Sequence, residues 1–279
     1  MNQKLLSGKR ILVCGKGGSG KSTIVTFLSN VLEEKKYKIL VLDGDASNPE
    51  GLLRLMFGKG KESAPKPLIE YFGGINIVTC PVDDPSPLTR INESIPITEK
   101  RINVHEEIPS EYFIQEGRKT LFQAGKIEKY GQGCDGPIEK VVRDFIVDGR
   151  GVNIIDIKAG VEHFGRRIAD NMDIILLVLD YTAESVAIAK RVYEFSKDMN
   201  QDYWIILNQI KLEKNEREIN KSLGKELKAR IIGTVHFDSR VEKMGFRGCL
   251  GECKAKEDVK KLLNHLEEIL INMKLKNEN

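Results

Sequence analysis

The stretch Gly15-Lys16-Gly17-Gly18-Ser19-Gly20-Lys21-Ser22-Thr23 constrains this chain more than any other feature. An apolar, β-branched run at residues 10–14 precedes it. A helical pattern over 21–35 follows, and a second apolar run comes at 38–42. In that strand-to-helix setting, the spacing G-x-x-x-x-G-K-[ST] from Gly15 to Ser22 is a phosphate-binding loop. Its glycines let the backbone curl so that successive N–H groups face phosphate oxygens, and the helix N-terminus adds partial positive charge. Two strands joined through a helix must lie parallel. Further short apolar runs at 75–80, 120–124, 152–157, 173–179, 203–208 and 231–234 alternate with helical patterns. The expected fold class is therefore α/β: a doubly wound, mostly parallel sheet flanked by helices, in a single domain spanning 1–279.

Two regions depart from that rhythm. Seven of the nine prolines fall between residues 65 and 109, beside Gly73-Gly74 and Asp83-Asp84-Pro85-Ser86-Pro87, so residues 58–118 are expected to form an irregular, mobile, partner-facing insertion. Near the C-terminus, Val259, Leu262, Leu263, Leu266, Ile269, Leu270 and Met273 recur at helical spacing opposite a mixed Lys/Glu face. That stripe predicts a helix docked on the domain, fraying over residues 274–279.

Composition narrows the setting. Apolar residues make up 41% and no run is long enough to span a bilayer, so membrane insertion is not expected. The 44 basic and 41 acidic residues are interspersed, giving a net charge of +3 and no concentrated basic face for nucleic acid. The N-terminus lacks a secretory pattern, and the five cysteines do not form a disulfide framework, so a cytoplasmic location with reduced thiols is expected.

The chemistry gathers at strand ends. Lys21 is placed to neutralise β- and γ-phosphates, Ser22 to ligate magnesium, and Thr23 to meet the α-phosphate. Asp43-Gly44-Asp45 follows the second strand, where doubly wound sheets bind ligands, with Asp43 open to either a structural or a chemical role. Asp156 ends the run at 152–157 and is followed by Lys158-Ala159-Gly160. A carboxylate there suits magnesium, while Gly160 gives a hinge whose N–H can meet or lose a γ-phosphate. Asn208 closes another strand and offers a donor and an acceptor to a base edge, though it is also ordinary turn chemistry. His236-Phe237-Asp238 is expected on the base's other side.

Lys16, directly after the first loop glycine, makes the motif K-G-G-x-G-K-S-T. This resembles the deviant Walker A pattern of the P-loop ATPases related to ParA, MinD and the nitrogenase iron protein. The resemblance implies ATP with Mg2+, hydrolysis, and an ATP-dependent homodimer in which Lys16 reaches the partner's phosphates. It also implies that Asp45 orients or deprotonates the attacking water, and that Asn208 reads adenine. The run from Asp156 to Arg166 (D-I-K-A-G-V-E-H-F-G-R) looks closer to the CooC-type accessory ATPases of carbon monoxide dehydrogenase than to their relatives, implying a client metalloenzyme and nickel delivery. That branch gathers a nickel or zinc ion between protomers on a Cys-x-Cys pair. Here the first cysteine is Cys134, and Gly136 stands where the second would be. A bridging iron–sulfur cluster would lack further ligands. Cys249 and Cys253 are open between metal, redox and incidental roles, and His163 reads as a sensor of nucleotide state. A ParA/MinD-like positioning ATPase and a nucleotide-sensing adaptor with little turnover are the rival readings.

Overall fold

The structure is a computed structural model that describes residues 4–199 and 201–277. Its strands are β1 (Arg10–Gly15), β2 (Ile39–Gly44), β3 (Phe113–Glu116), β4 (Lys119–Gln123), β5 (Val152–Ile157), β6 (Ile174–Leu179), β7 (Asp202–Ile210) and β8 (Ile231–His236). They form one eight-stranded sheet in the order β3-β4-β2-β5-β1-β6-β7-β8. All neighbours are parallel except the β3–β4 hairpin at one edge. β1 and β6 are buried along their whole length, as expected of central parallel strands covered on both faces.

The helices are α1 (Lys21–Glu34), α2 (Gly51–Phe57), α3 (Leu68–Tyr71), α4 (Val104–Glu107), α5 (Gly136–Asp144), α6 (Glu162–Gly165), α7 (Ala183–Met199), α8 (Glu213–Lys228), α9 (Ser239–Arg247) and α10 (Lys254–Asn277). One face of the sheet is covered by α1, α2 and α10, which bury Phe27, Leu28, Leu53, Val259, Leu263 and Leu266. The other is covered by α5, α7, α8 and the 58–118 segment, burying Val141, Val192, Leu223, Phe72 and Ile102. The stripe on α10 docks as its spacing predicts, with Leu266 fully buried. The predicted fraying is not seen: α10 runs on to Asn277, and Glu278 and Asn279 lie outside the described residues.

One more expectation needs correction. Residues 75–80 are not a strand. Gly73 (φ 96°) and Gly74 (φ 81°) wind the chain into a turn, in which the Gly74 carbonyl accepts from the N–H groups of Ile77 and Val78. Ile75 and Ile77 are left exposed. The 58–118 segment carries only short elements, yet Leu68, Phe72, Leu88, Ile97 and Ile102 are buried in the core and its end forms β3. A strap holds it in place. The Arg90 guanidinium, 7% exposed, donates to both Glu107 carboxylate oxygens and to the carbonyls of Lys100 and Arg101. At its far end Ile102 bonds with Ile146 and Asp148 just past α5.

Candidate nucleotide-binding site

β1 lies between β5 and β6, and the chain crosses from one side of it to the other between those two strands, so the crevice beyond its C-terminal end is a switch point suited to a ligand. Parallel register aligns Asp43 with Asp156 and Val13 with Asp156, gathering the β1 loop and both acidic strand ends at one edge. Sterics explain the loop glycines. Gly15 has φ 145°, and a Cβ there would lie 2.4 Å from the Val178 carbonyl oxygen. Gly20, at φ 91°, leads into α1, and a Cβ would lie 2.3 Å from the Asn208 side-chain nitrogen.

Lys21 is 8% exposed and its ammonium donates to the Lys16 carbonyl oxygen across the loop, 3.2 Å away. The Ser22 hydroxyl donates to Asp156 Oδ2 at 2.7 Å. Asp156 is 1% exposed and its other oxygen is buried without a partner. Burial, helped by the nearby Asp43 charge, pushes this carboxyl up to about 7 despite the Ser22 hydrogen bond. A buried, under-satisfied carboxylate touching a loop hydroxyl fits a hard divalent cation such as magnesium. Ser22 and Asp156 would hold it, and its charge would offset that of the phosphates.

Asp43 is firmly held in place. It is fully buried and ion-pairs with Lys126 at 2.9 Å, and it accepts from the N–H groups of Leu52 and Asp45. Asp45 is half-buried, and its carboxylate accepts from the Ser47 N–H and hydroxyl. Lys16 points to the rim, where its ammonium lies 3.3 Å from Asp180 Oδ2. Burial alone would raise the Asp180 carboxyl, but hydrogen bonds from Ser185 and Thr182 and the Lys16 charge hold it below the usual range.

Asn208, 4% exposed, donates from its amide to the Ser19 carbonyl at 2.7 Å, and Gln209 donates to the Gly18 carbonyl at 3.0 Å. Beside them opens a cavity of about 260 Å³, lined by Gly20, Thr23, Phe27, Asn208, Phe237 and Asp238 among others. Its place next to the start of α1, with an aromatic ring and an amide in its wall, suits a nucleobase. His236, Phe237 and Asp238 line this cavity together with Asn208.

After β5, Gly160 adopts φ 124° and the chain turns into α6. A buried ionic cluster ties this segment to α5. Lys158 and Arg166 both pair with Asp135, Arg166 also pairs with Glu139, and His163 Nδ1 lies 2.6 Å from Glu139. Burial disfavours the charged imidazole, but the Glu139 hydrogen bond and charge outweigh it and raise its pKa. His163 is thus held by Glu139 inside this ionic cluster. Cys134 is exposed, and no group of three or more His, Cys, Asp or Glu side chains among the described residues is arranged to hold a metal ion. Cys249 is an exposed free thiol and Cys253 a buried one.

The sequence reading missed Asp180, Lys126, Gln209 and Glu139. Asp180 ends an apolar strand run as Asp156 does, so the same signal was present. The other three have no local pattern, their partners being remote in sequence.

Residues 11–249 match the family described as the CobQ/CobB/MinD/ParA nucleotide binding domain. Two uncharacterised ATP-binding proteins of Methanocaldococcus jannaschii are each 29% identical to the chain. One aligns over 243 residues, 86% of this chain and 92% of the relative. The other aligns over 280 residues, 96% and 99% respectively. The carbon monoxide dehydrogenase accessory protein CooC of Rhodospirillum rubrum is 23% identical over 240 residues, 84% of this chain and 85% of its own length. Among solved structures, the cell division ATPase MinD of Pyrococcus furiosus superposes with a TM-score of 0.56 at 18% identity, covering 94% of this chain and 99% of that one. The last comparison bears on fold alone.

Proposed function

Because the chain belongs to the CobQ/CobB/MinD/ParA nucleotide-binding domain family, we propose that it is an ATPase that closes into a homodimer around ATP and reopens on hydrolysis, serving metal-centre assembly in a client metalloenzyme. The observation that carries the reading is the division between two loop lysines. Lys21 lies across its own loop, while Lys16 sits at the rim on Asp180. A cation at the rim is free to serve a second nucleotide once Asp180 releases it.

In this mechanism Gly15 to Thr23 cradle the phosphates, and Asn208 with the Phe237 turn holds the base. Asp45 orients water for in-line attack on the γ-phosphoryl group. Lys21, with Lys16 of the facing copy, stabilises the charge on the transferring group, as an arginine finger does. Gly160 senses the γ-phosphate, and its movement pulls on Asp135 and Glu139 at the start of α5 through Lys158, His163 and Arg166.

The client half rests on the likeness to the accessory protein CooC and on the Asp156 to Arg166 run. Cys134 would present one thiolate per protomer to nickel or zinc as cargo. Metal analysis of the protein isolated with ATP under reducing conditions, beside Cys134→Ser, tests that half. A stoichiometric metal that disappears in the variant supports it. No metal in either, with ATP bound, contradicts it and favours an adaptor.

A further inference from the structure

We propose that Cys80 and Cys134 form a redox-active dithiol that closes to an intrachain disulfide by exchange with a low-molecular-weight disulfide. The two cysteines come from separate parts of the chain, Cys80 from the 58–118 segment and Cys134 from the loop before α5. Gly136 lies between them. A Cβ on Gly136 would meet the Cys80 sulfur at 2.5 Å and the Cys134 sulfur at 3.5 Å, so the sulfurs lie within about 6 Å of each other. A side chain at 136 would collide with the Cys80 sulfur, so the glycine keeps that space open.

Their surroundings suit exchange. Cys134 is exposed and Cys80 partly so, whereas Cys14 and Cys253 are buried. Gly131 and Gly133 take φ 76° and 101°, and a Cβ on either would touch nothing within 4 Å, so the segment carrying Cys134 has space to adjust. On the other side, Lys140 of α5 ion-pairs with Asp84 at 2.7 Å, which already holds the Cys80 turn against that helix. The bond would add a covalent tie between the 58–118 segment and the start of α5, next to the Asp135 that Lys158 and Arg166 grip.

The exchange balances in two steps. The more exposed Cys134 attacks, as thiolate, one sulfur of oxidised glutathione and releases one glutathione thiolate. Cys80, as thiolate, then attacks the Cys134 sulfur of that mixed disulfide and releases the second. Two protein thiols give up two protons and two electrons, and one small disulfide becomes two thiols.

The test is to incubate the reduced full-length chain with oxidised glutathione, alkylate it, and map its peptides by mass spectrometry. Two of the five thiols should be lost as a Cys80–Cys134 cross-link without retained glutathione. Cys80→Ser should instead accumulate a stable glutathione adduct on Cys134, because the resolving thiol is gone. The proposal is overturned if the wild-type chain holds that adduct as stably as Cys80→Ser, if another pair is cross-linked, or if all five thiols survive.

Discussion

At the residue scale, Asp156 is the group whose setting makes the sharpest demand. An unfolded aspartate titrates near pH ~3.9, whereas burial in the folded chain pushes Asp156 up to about 7. The folded state therefore holds this proton more tightly than the unfolded state. Its stabilising contribution is complete below pH ~4 and is lost as pH rises through about 7. Asp156→Asn removes that penalty. Thermal melts of the nucleotide-free protein should show the variant more stable than wild type at pH 8 by about 2 °C or more, a gap that closes towards pH 4. Asn208→Ala removes an amide from the base cavity and frees the Ser19 carbonyl. Nucleotide binding, measured by calorimetry, should weaken about tenfold, the size of one good hydrogen bond. The residues readable from sequence were those whose meaning is local: the loop spacing, an Asp at one strand's end, an Asn near the end of another. Lys126 was not, since it meets Asp43 from 83 positions away.

At the element scale, α10 and the 58–118 segment carry the checks. Leu266 is fully buried where α10 packs against the sheet. Leu266→Ala should cost about 2–5 kcal/mol in urea unfolding, and a loss under about 0.5 kcal/mol would mean that the helix does not dock there. Arg90→Ala removes the guanidinium from Glu107, which keeps the Asn103 N–H, and from the Lys100 and Arg101 carbonyls. It should cost about 2 kcal/mol and open residues 91–101 to limited proteolysis, with cleavage no faster than wild type as the contrary result. Most strands were legible because continuous apolar runs suit a sheet covered on both faces. The error at residues 75–80 came from a strand-like run in which Gly73 and Gly74 impose a turn that overrides the side-chain pattern. β3 was missed for the opposite reason: it is a four-residue edge strand, half polar, held by its pairing with β4 rather than by a hydrophobic face.

At the scale of the whole molecule, the sheet edge joins the phosphate loop, the base cavity and an ionic cluster that reaches α5. In the proposed mechanism, this cluster carries nucleotide state to the surface that bears Cys134 and the 58–118 segment. Sedimentation with a non-hydrolysable ATP analogue and magnesium should shift the chain from monomer to dimer, and ADP should leave it monomeric. The most direct measurement is steady-state phosphate release from ATP by the wild-type chain, Lys16→Ala and Asp45→Ala, with nucleotide binding checked in each. A wild-type turnover that falls at least ~30-fold in both variants while binding persists is the predicted result, consistent with the loss of about 2 kcal/mol or more of transition-state stabilisation. Turnover unchanged in both variants would contradict the account.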